Sequence, residues 1–252
     1  MRHALVRPPG DSFAHALSSL DPQPRIDVDL ARQQHAAYCA ALESTGLDLI
    51  ELPRDEAHPD SCFVQDTAVI FGDLAVIARP GAASRRGEEE AVRRALHGRK
   101  RLAEIRAPAT LEGGDVLIIG SRLFVGLSAR TNRGGFVQLR DLLELEGATV
   151  ESLPVEEGLH LLSDCTYLGR GVLLATDACA DRPAFAGLEQ IRVAPDEAYA
   201  ANALAIDYYV IFPSGYPRTA ALIRERGFTV LEVPLSEFAK ADGGATCLSL
   251  PL

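Results

Sequence analysis

Gly46-Leu-Asp-Leu-Ile-Glu-Leu-Pro53, Gly147-Ala-Thr-Val-Glu-Ser-Leu-Pro154 and Gly227-Phe-Thr-Val-Leu-Glu-Val-Pro234 are three runs of equal length and similar alternation. Each follows a segment of helical spacing, opens on glycine and closes on proline. Glycine suits the left-handed position just past a helix, and proline cannot continue a central strand. Each run therefore predicts the same event, a helix ending and a short strand beginning. Looser versions span 101–107, ending at Pro108, and 191–194, ending at Pro195.

Working outward, a loop and then paired β-type runs follow each proline. Residues 67–71 and 74–78 come after Pro53, with 116–119 and 123–127 after Pro108. Residues 165–168 and 172–175 follow Pro154, and 203–206 and 208–212 follow Pro195. After Pro234 only 246–250 remains, and residues 4–7 supply the missing partner if the chain ends meet. Helical spacing fills 29–43, 88–96, 131–146 and 219–226, while the unit after Pro154 offers only the 181–188 region. Units of strand, strand, helix, strand, recurring at roughly forty to fifty residues, predict a closed radial array. The expected fold is α/β, a five-bladed pseudo-symmetric α/β propeller, and a single domain over residues 1–252. Pairing the termini would remove exposed sheet edges. Alternation alone would imply an ordinary α/β sheet; the three matching runs favour the repeat.

The 252 residues are 47% hydrophobic, enough for a sizeable core, and carry a net charge of −10. No basic run exceeds the cluster at 98–101, which argues against nucleic acid as a partner. The acidic balance suits a cationic small molecule, and equally suits solubility. No signal-peptide stretch or bilayer-length apolar run is present, so no membrane association is expected. Cys39, Cys62, Cys165, Cys179 and Cys247 are odd in number and lack paired spacing. That pattern speaks against a disulfide framework and against a Cys-x-x-Cys metal site. The expectation is a reduced, soluble, cytoplasmic protein.

Loops just after the prolines occupy equivalent places, so a closed array brings them to one end of its axis. They hold Asp60 and Asp66, Glu112 and Asp115, His160, and Cys247. A thiol, an imidazole and carboxylates from separate units form the set that covalent attack on a cationic carbon requires. Cys247 follows two glycines that permit close approach, although a free cysteine alone reads as a small buried hydrophobe. His160, between apolar neighbours, alone reads as a core residue; its equivalence to the Cys247 loop makes it a candidate. Asp115 reads as a turn former, and Asp66 equally as a capped turn or an inward carboxylate. Glu112 enters its loop from an extended run. Arginines at Arg79–Arg86 and at Arg130 stand where strand gives way to helix. They are either surface salt-bridge partners or a bidentate clamp for a carboxylate.

Eight motifs in order carry a family likeness. They are Asp60-Ser-Cys-Phe-Val-Gln-Asp66, Arg79-Pro-Gly-Ala-Ala-Ser-Arg-Arg-Gly-Glu88, Leu111-Glu-Gly-Gly-Asp115, Ser128-Ala-Arg-Thr-Asn132, Leu159-His160, Tyr199-Ala-Ala-Asn202, Pro213-Ser-Gly-Tyr-Pro-Arg218 and Asp242-Gly-Gly-Ala-Thr-Cys247. Together, along essentially the whole chain, they resemble the dimethylarginine dimethylaminohydrolases, within the guanidino-group modifying enzymes. The resemblance implies Cys247 as nucleophile, His160 as general acid/base, and Glu112 as its orienting, guanidinium-binding carboxylate. It implies that Asp66 holds the guanidinium and that Arg85 and Arg130 hold the substrate α-carboxylate. Leu17, Asp60 and Ala241 match positions near the α-amino end. Gln65 is carried as a substrate-binding position too, but stands where members commonly have glutamate, which leaves substrate preference open.

The implied reaction is hydrolysis of a methylated arginine to citrulline and a methylamine through a cysteine thiouronium. It calls for no metal or organic cofactor. The expected partner is a small-molecule guanidine, and a homodimer is left open. The rivals are the same chemistry on arginine or agmatine, and a non-catalytic propeller of the kind a ribosome anti-association factor uses.

Overall fold

A computed structural model of the chain describes residues 2–156 and 158–252. Among these, five three-stranded sheets are arranged as blades. The first is Ser249–Pro251, Arg2–Val6 and Leu47–Glu51; the second Ala68–Phe71, Leu74–Ile77 and Arg101–Glu104. Val116–Ile119, Arg122–Leu127 and Thr149–Pro154 form the third, and Cys165–Gly169, Val172–Ala175 and Glu189–Arg192 the fourth. The fifth is Leu204–Ile206, Tyr209–Pro213 and Thr229–Val233. In every blade the middle strand runs antiparallel to the inner strand and parallel to the outer one. A parallel pair needs a crossover, and an α-helix lies there in four of the five units.

The glycines that open the three matching runs have positive φ, +87° at Gly46, +84° at Gly147 and +79° at Gly227. They release the chain from Val28–Ser44, Arg133–Glu144 and Pro217–Glu225 into the outer strands. The fourth blade has only a short 3-10 turn, Pro183–Phe185, in the equivalent place. The ring closes as the repeat requires, with Ala4 opposite Pro251 and Val6 opposite Ser249. The closing strand starts later than residue 246, because Thr246 is held in a turn by Asn202, whose Oδ1 accepts from its backbone N–H at 2.8 Å and its hydroxyl at 3.0 Å. The outer strand of the fourth blade sits two residues earlier than its proline suggested, since Pro195–Ala201 forms a 3-10 helix.

The helix Val28–Ser44 shows how the core reaches the site. Asp27 caps it by accepting from Leu30 N–H at 3.0 Å. Ala31, Tyr38 and Leu42 form a wholly buried stripe. The Tyr38 hydroxyl donates to Ala245 O at 2.7 Å and contacts Ser249 Oγ at 2.7 Å, pinning the loop before the closing strand. Each blade repeats the same order and direction, so the loops leading into the five innermost strands emerge at one end.

Candidate active site

The Cys247 loop is packed tightly rather than loosely. A Cβ on Gly243 would stand 2.3 Å from the Phe63 ring, and one on Gly244 would stand 2.4 Å from Asn202 Cγ. Both glycines are therefore required by close approach; the positive φ in this loop, +56°, belongs to Asp242. Gly244 N–H points at Cys247 Sγ at 3.4 Å, and Gln65 N–H donates to Cys247 O at 3.2 Å. The thiol is 6% exposed. Burial, reinforced by the Asp66 carboxylate, pushes it up to about 11.

Glu112 is the hub of the charged groups beside it. Its Oε1 accepts from Gly81 N–H at 3.0 Å and from Arg130 Nη1 at 3.4 Å. Its Oε2 meets His160 Nε2 at 2.8 Å and Arg85 Nη1 at 3.5 Å. Burial alone would raise this carboxyl, but the His160 bond and the arginine charges overcome that and hold it down to about 2. His160 shows the converse. Burial alone would depress the imidazole, and Asp66, the Glu112 hydrogen bond and Asp115 reverse that to about 9. His160 Nδ1 lies 4.0 Å from Asp66 Oδ1.

Asp66 and Asp115 tie neighbouring blades together. Asp66 accepts from Arg85 Nη1 at 2.8 Å and from Gly114 N–H at 3.0 Å. Asp115 accepts from Ser128 Oγ at 2.6 Å and from Leu161 N–H at 3.0 Å, which fixes the turn carrying His160. Sequence reasoning gave Asp115 only its turn-forming part. It also missed Glu88, whose buried carboxylate takes Arg85 Nη2 at 2.8 Å; the signal was the spacing Arg85-x-x-Glu88.

One narrow cavity is lined by Leu17, Asp60, Asp66, Arg85, Arg130, His160, Ala241 and Cys247, with Phe63, Leu159, Asp242 and Gly243. Leu17 N–H donates to Asp60 Oδ1 at 3.0 Å, and Ser19 binds Asp242 through its N–H and hydroxyl. The 16–24 segment is thus tied across the mouth. Every expected site residue lines this cavity except two. Glu112 stands directly behind Arg85, Arg130 and His160. Gln65 is the correction: its amide turns away, donating to Gly113 O at 2.7 Å and lining a separate cavity of about 230 Å³ with Val69, Ile118, Leu204 and Leu250. The 3-10 turn Val64–Thr67 explains this, because successive side chains there point about 120° apart, so Asp66 facing in sends Gln65 out.

Asp66, Glu112 and His160 bring three donor atoms within 4.8 Å of one another. That spacing could hold a metal ion, although each group is already hydrogen-bonded or ion-paired to protein. In charge, Asp60, Asp66, Glu88, Glu112 and Asp115 are buried together with Arg7, Arg85 and His160 and the nearly buried Arg130. With His160 protonated five acids face four cations, and burial pushes Glu88 up to about 7, so at neutral pH the two are nearly in balance.

A family model described as eukaryotic N,N dimethylarginine dimethylhydrolase matches residues 11–177. The N(G),N(G)-dimethylarginine dimethylaminohydrolase of Pseudomonas aeruginosa is 39% identical, over 99% of this chain and 98% of that protein. The protein of the same name from Streptomyces coelicolor is 37% identical, over 100% and 97%. The crystal structure of a cysteine-to-serine variant of the Pseudomonas aeruginosa protein, complexed with citrulline, superposes with a TM-score of 0.97 at 37% identity, covering 100% of this chain and 99% of that one. Likeness of this degree along the full length settles the relationship: the chain belongs to the dimethylarginine dimethylaminohydrolase family.

Proposed function

We propose that the protein hydrolyses an N-omega-methylated arginine to citrulline and a methylamine through a covalent adduct on Cys247. The observation that carries this reading is a single cavity holding a buried thiol, a buried imidazole and the buried carboxylates Asp60 and Asp66. Those are the groups that bind a guanidinium and attack its carbon. We assign residues 1–252 to one catalytic domain, and the five free thiols fit a reducing compartment, the cytoplasm.

The resting state is neutral thiol and protonated imidazole, since Cys247 sits near 11 and His160 near 9. Asp66 takes the substrate guanidinium, with the Glu112 charge behind it, and Arg85 and Arg130 take its α-carboxylate. The arriving cation beside Sγ favours the thiolate, and the thiol proton leaves to solvent. Sulfur then bonds to the guanidinium carbon, whose charge the two acids hold in place. Glu112 occupies His160 Nε2, which leaves Nδ1–H to protonate the departing methylamine. The C–N bond breaks, giving a thiouronium and a neutral imidazole. That imidazole takes a proton from water, the hydroxide adds to the same carbon, and the C–S bond breaks to release citrulline and free Cys247.

The test is a panel of dimethylarginine, monomethylarginine, arginine and agmatine, read for ureido product. Methylated arginines should react fastest. Preference for agmatine would overturn the substrate assignment, and full activity in Cys247→Ser would overturn the mechanism.

A further inference from the structure

We propose that Glu88 is a positioning residue for substrate selection: its carboxylate grips one edge of the Arg85 guanidinium and aims the second N–H of Nη2 at the substrate α-carboxylate. This rests on the role proposed for Arg85 above. Arg85 carries five N–H groups in a rigid plane. Nε lies 3.2 and 3.1 Å from the two Glu88 oxygens, and Nη2 lies 2.8 Å from Oε2. Glu88 therefore holds the whole Nε–Nη2 edge. Nη1 is taken by Asp66 at 2.8 Å and Glu112 at 3.5 Å, which leaves the second N–H of Nη2 for a ligand in the cavity that Arg85 lines with Leu17, Asp60 and Arg130.

Glu88 itself does not line that cavity, and its side chain is 0% exposed. Its placement follows from Gly87, at φ +115°, where a Cβ would stand 2.8 Å from His58 Nε2. The chain reverses there, turning Glu88 back onto Arg85 before the helix Glu89–Leu96. Asp66 and Glu112 are shared with His160 and Arg130, whereas Glu88 pairs with Arg85. Burial pushes the Glu88 carboxyl up to about 7 despite the arginine. Bidentate contact fixes the guanidinium plane as a single counter-charge would not.

The experiment uses Glu88→Gln, which keeps size and one acceptor. For dimethylarginine, KM should rise about tenfold with kcat within twofold, while KM for its decarboxylated analogue changes less than threefold. In an Arg85→Lys background the same substitution should add nothing, because both act through one contact. Equal losses on both substrates, a fall confined to kcat, or full additivity with Arg85→Lys would overturn the proposal. A second measurement does not depend on turnover: phenylglyoxal labelling of Arg85, read by mass spectrometry, should be faster in Glu88→Gln than in wild type. Unchanged labelling overturns the positioning role. A wild type inactive on every guanidine overturns the proposed function instead, and leaves the labelling to decide for Glu88.

Discussion

The state of Cys247 before substrate arrives follows from its surroundings and can be measured. A thiol near 11 is four units above neutral pH, so about one molecule in ten thousand carries a thiolate at pH 7. A guanidinium about 4 Å from sulfur, at the effective dielectric typical of protein sites, is worth about 4 kcal/mol. At about 1.4 kcal/mol per unit, that lowers the thiol by roughly three units. The perturbation is therefore occupancy of the pocket by a guanidinium that is not turned over. Thiolate absorbance near 240 nm is followed against pH, using the wild-type minus Cys247→Ser difference to remove the other four cysteines. The free protein should titrate far above pH 8, and the complex close to it. A thiolate band already full at pH 7 without ligand would mean a preformed ion pair with His160, and the reasoning from burial would be wrong. A midpoint unmoved by ligand would refute the substrate-driven ionisation.

Three further outcomes are expected. Arg130→Ala removes a side chain that is 15% exposed and makes one charge-assisted 3.4 Å contact with the fully buried Glu112, so stability should fall by about 1–3 kcal/mol. Its KM for dimethylarginine should rise roughly ten- to a hundredfold, the worth of a charge-assisted hydrogen bond, and a KM like that of wild type would remove Arg130 from the clamp. Gly244→Ala should cost about 1–3 kcal/mol by overpacking against Asn202 and lower kcat at least tenfold as Thr246 and Cys247 shift; normal kcat and melting temperature would show that the loop yields. For the His160–Glu112 pair, the folded imidazole lies near 9, above its unfolded 6.5, so its contribution is complete below pH 6.5 and is lost as pH rises through 9. Glu112, depressed to about 2 from 4.5, contributes above pH 4.5 and loses it as pH falls through 2. Both shifts are shared with Asp66, Asp115, Arg85 and Arg130, so the pair accounts for only part of each. Urea midpoints of wild type and Glu112→Gln should therefore differ most between pH 4.5 and 6.5, and a difference independent of pH would refute the pairing.

How far such a site can be read from its sequence depends on which geometry each residue obeys. The Gly-to-Pro runs were legible because positive φ after a helix and the stop at proline are local, and Gly46, Gly147 and Gly227 obey them. Convergence of Asp66, Glu112, His160 and Cys247 was legible because it follows from repetition: each precedes an innermost strand, and all five strands start at one end. Direction within a loop was not. Gln65 and Asp66 are adjacent, yet the 3-10 turn aims Asp66 into the cavity and Gln65 behind it. The sequence reads the glycine pair before Cys247 as room for a substrate's close approach, whereas the structure uses it for contact with Phe63 and Asn202, residues 180 and 42 positions away. Asp115 and Glu88 were missed for the same reason, since their work lies in reaching Leu161 and Arg85. A side chain that acts by holding another leaves no pattern at its own position. Such residues can be recognised only once the partner's free edges are counted, and that count is what separates Glu88 from an ordinary helix-capping acid.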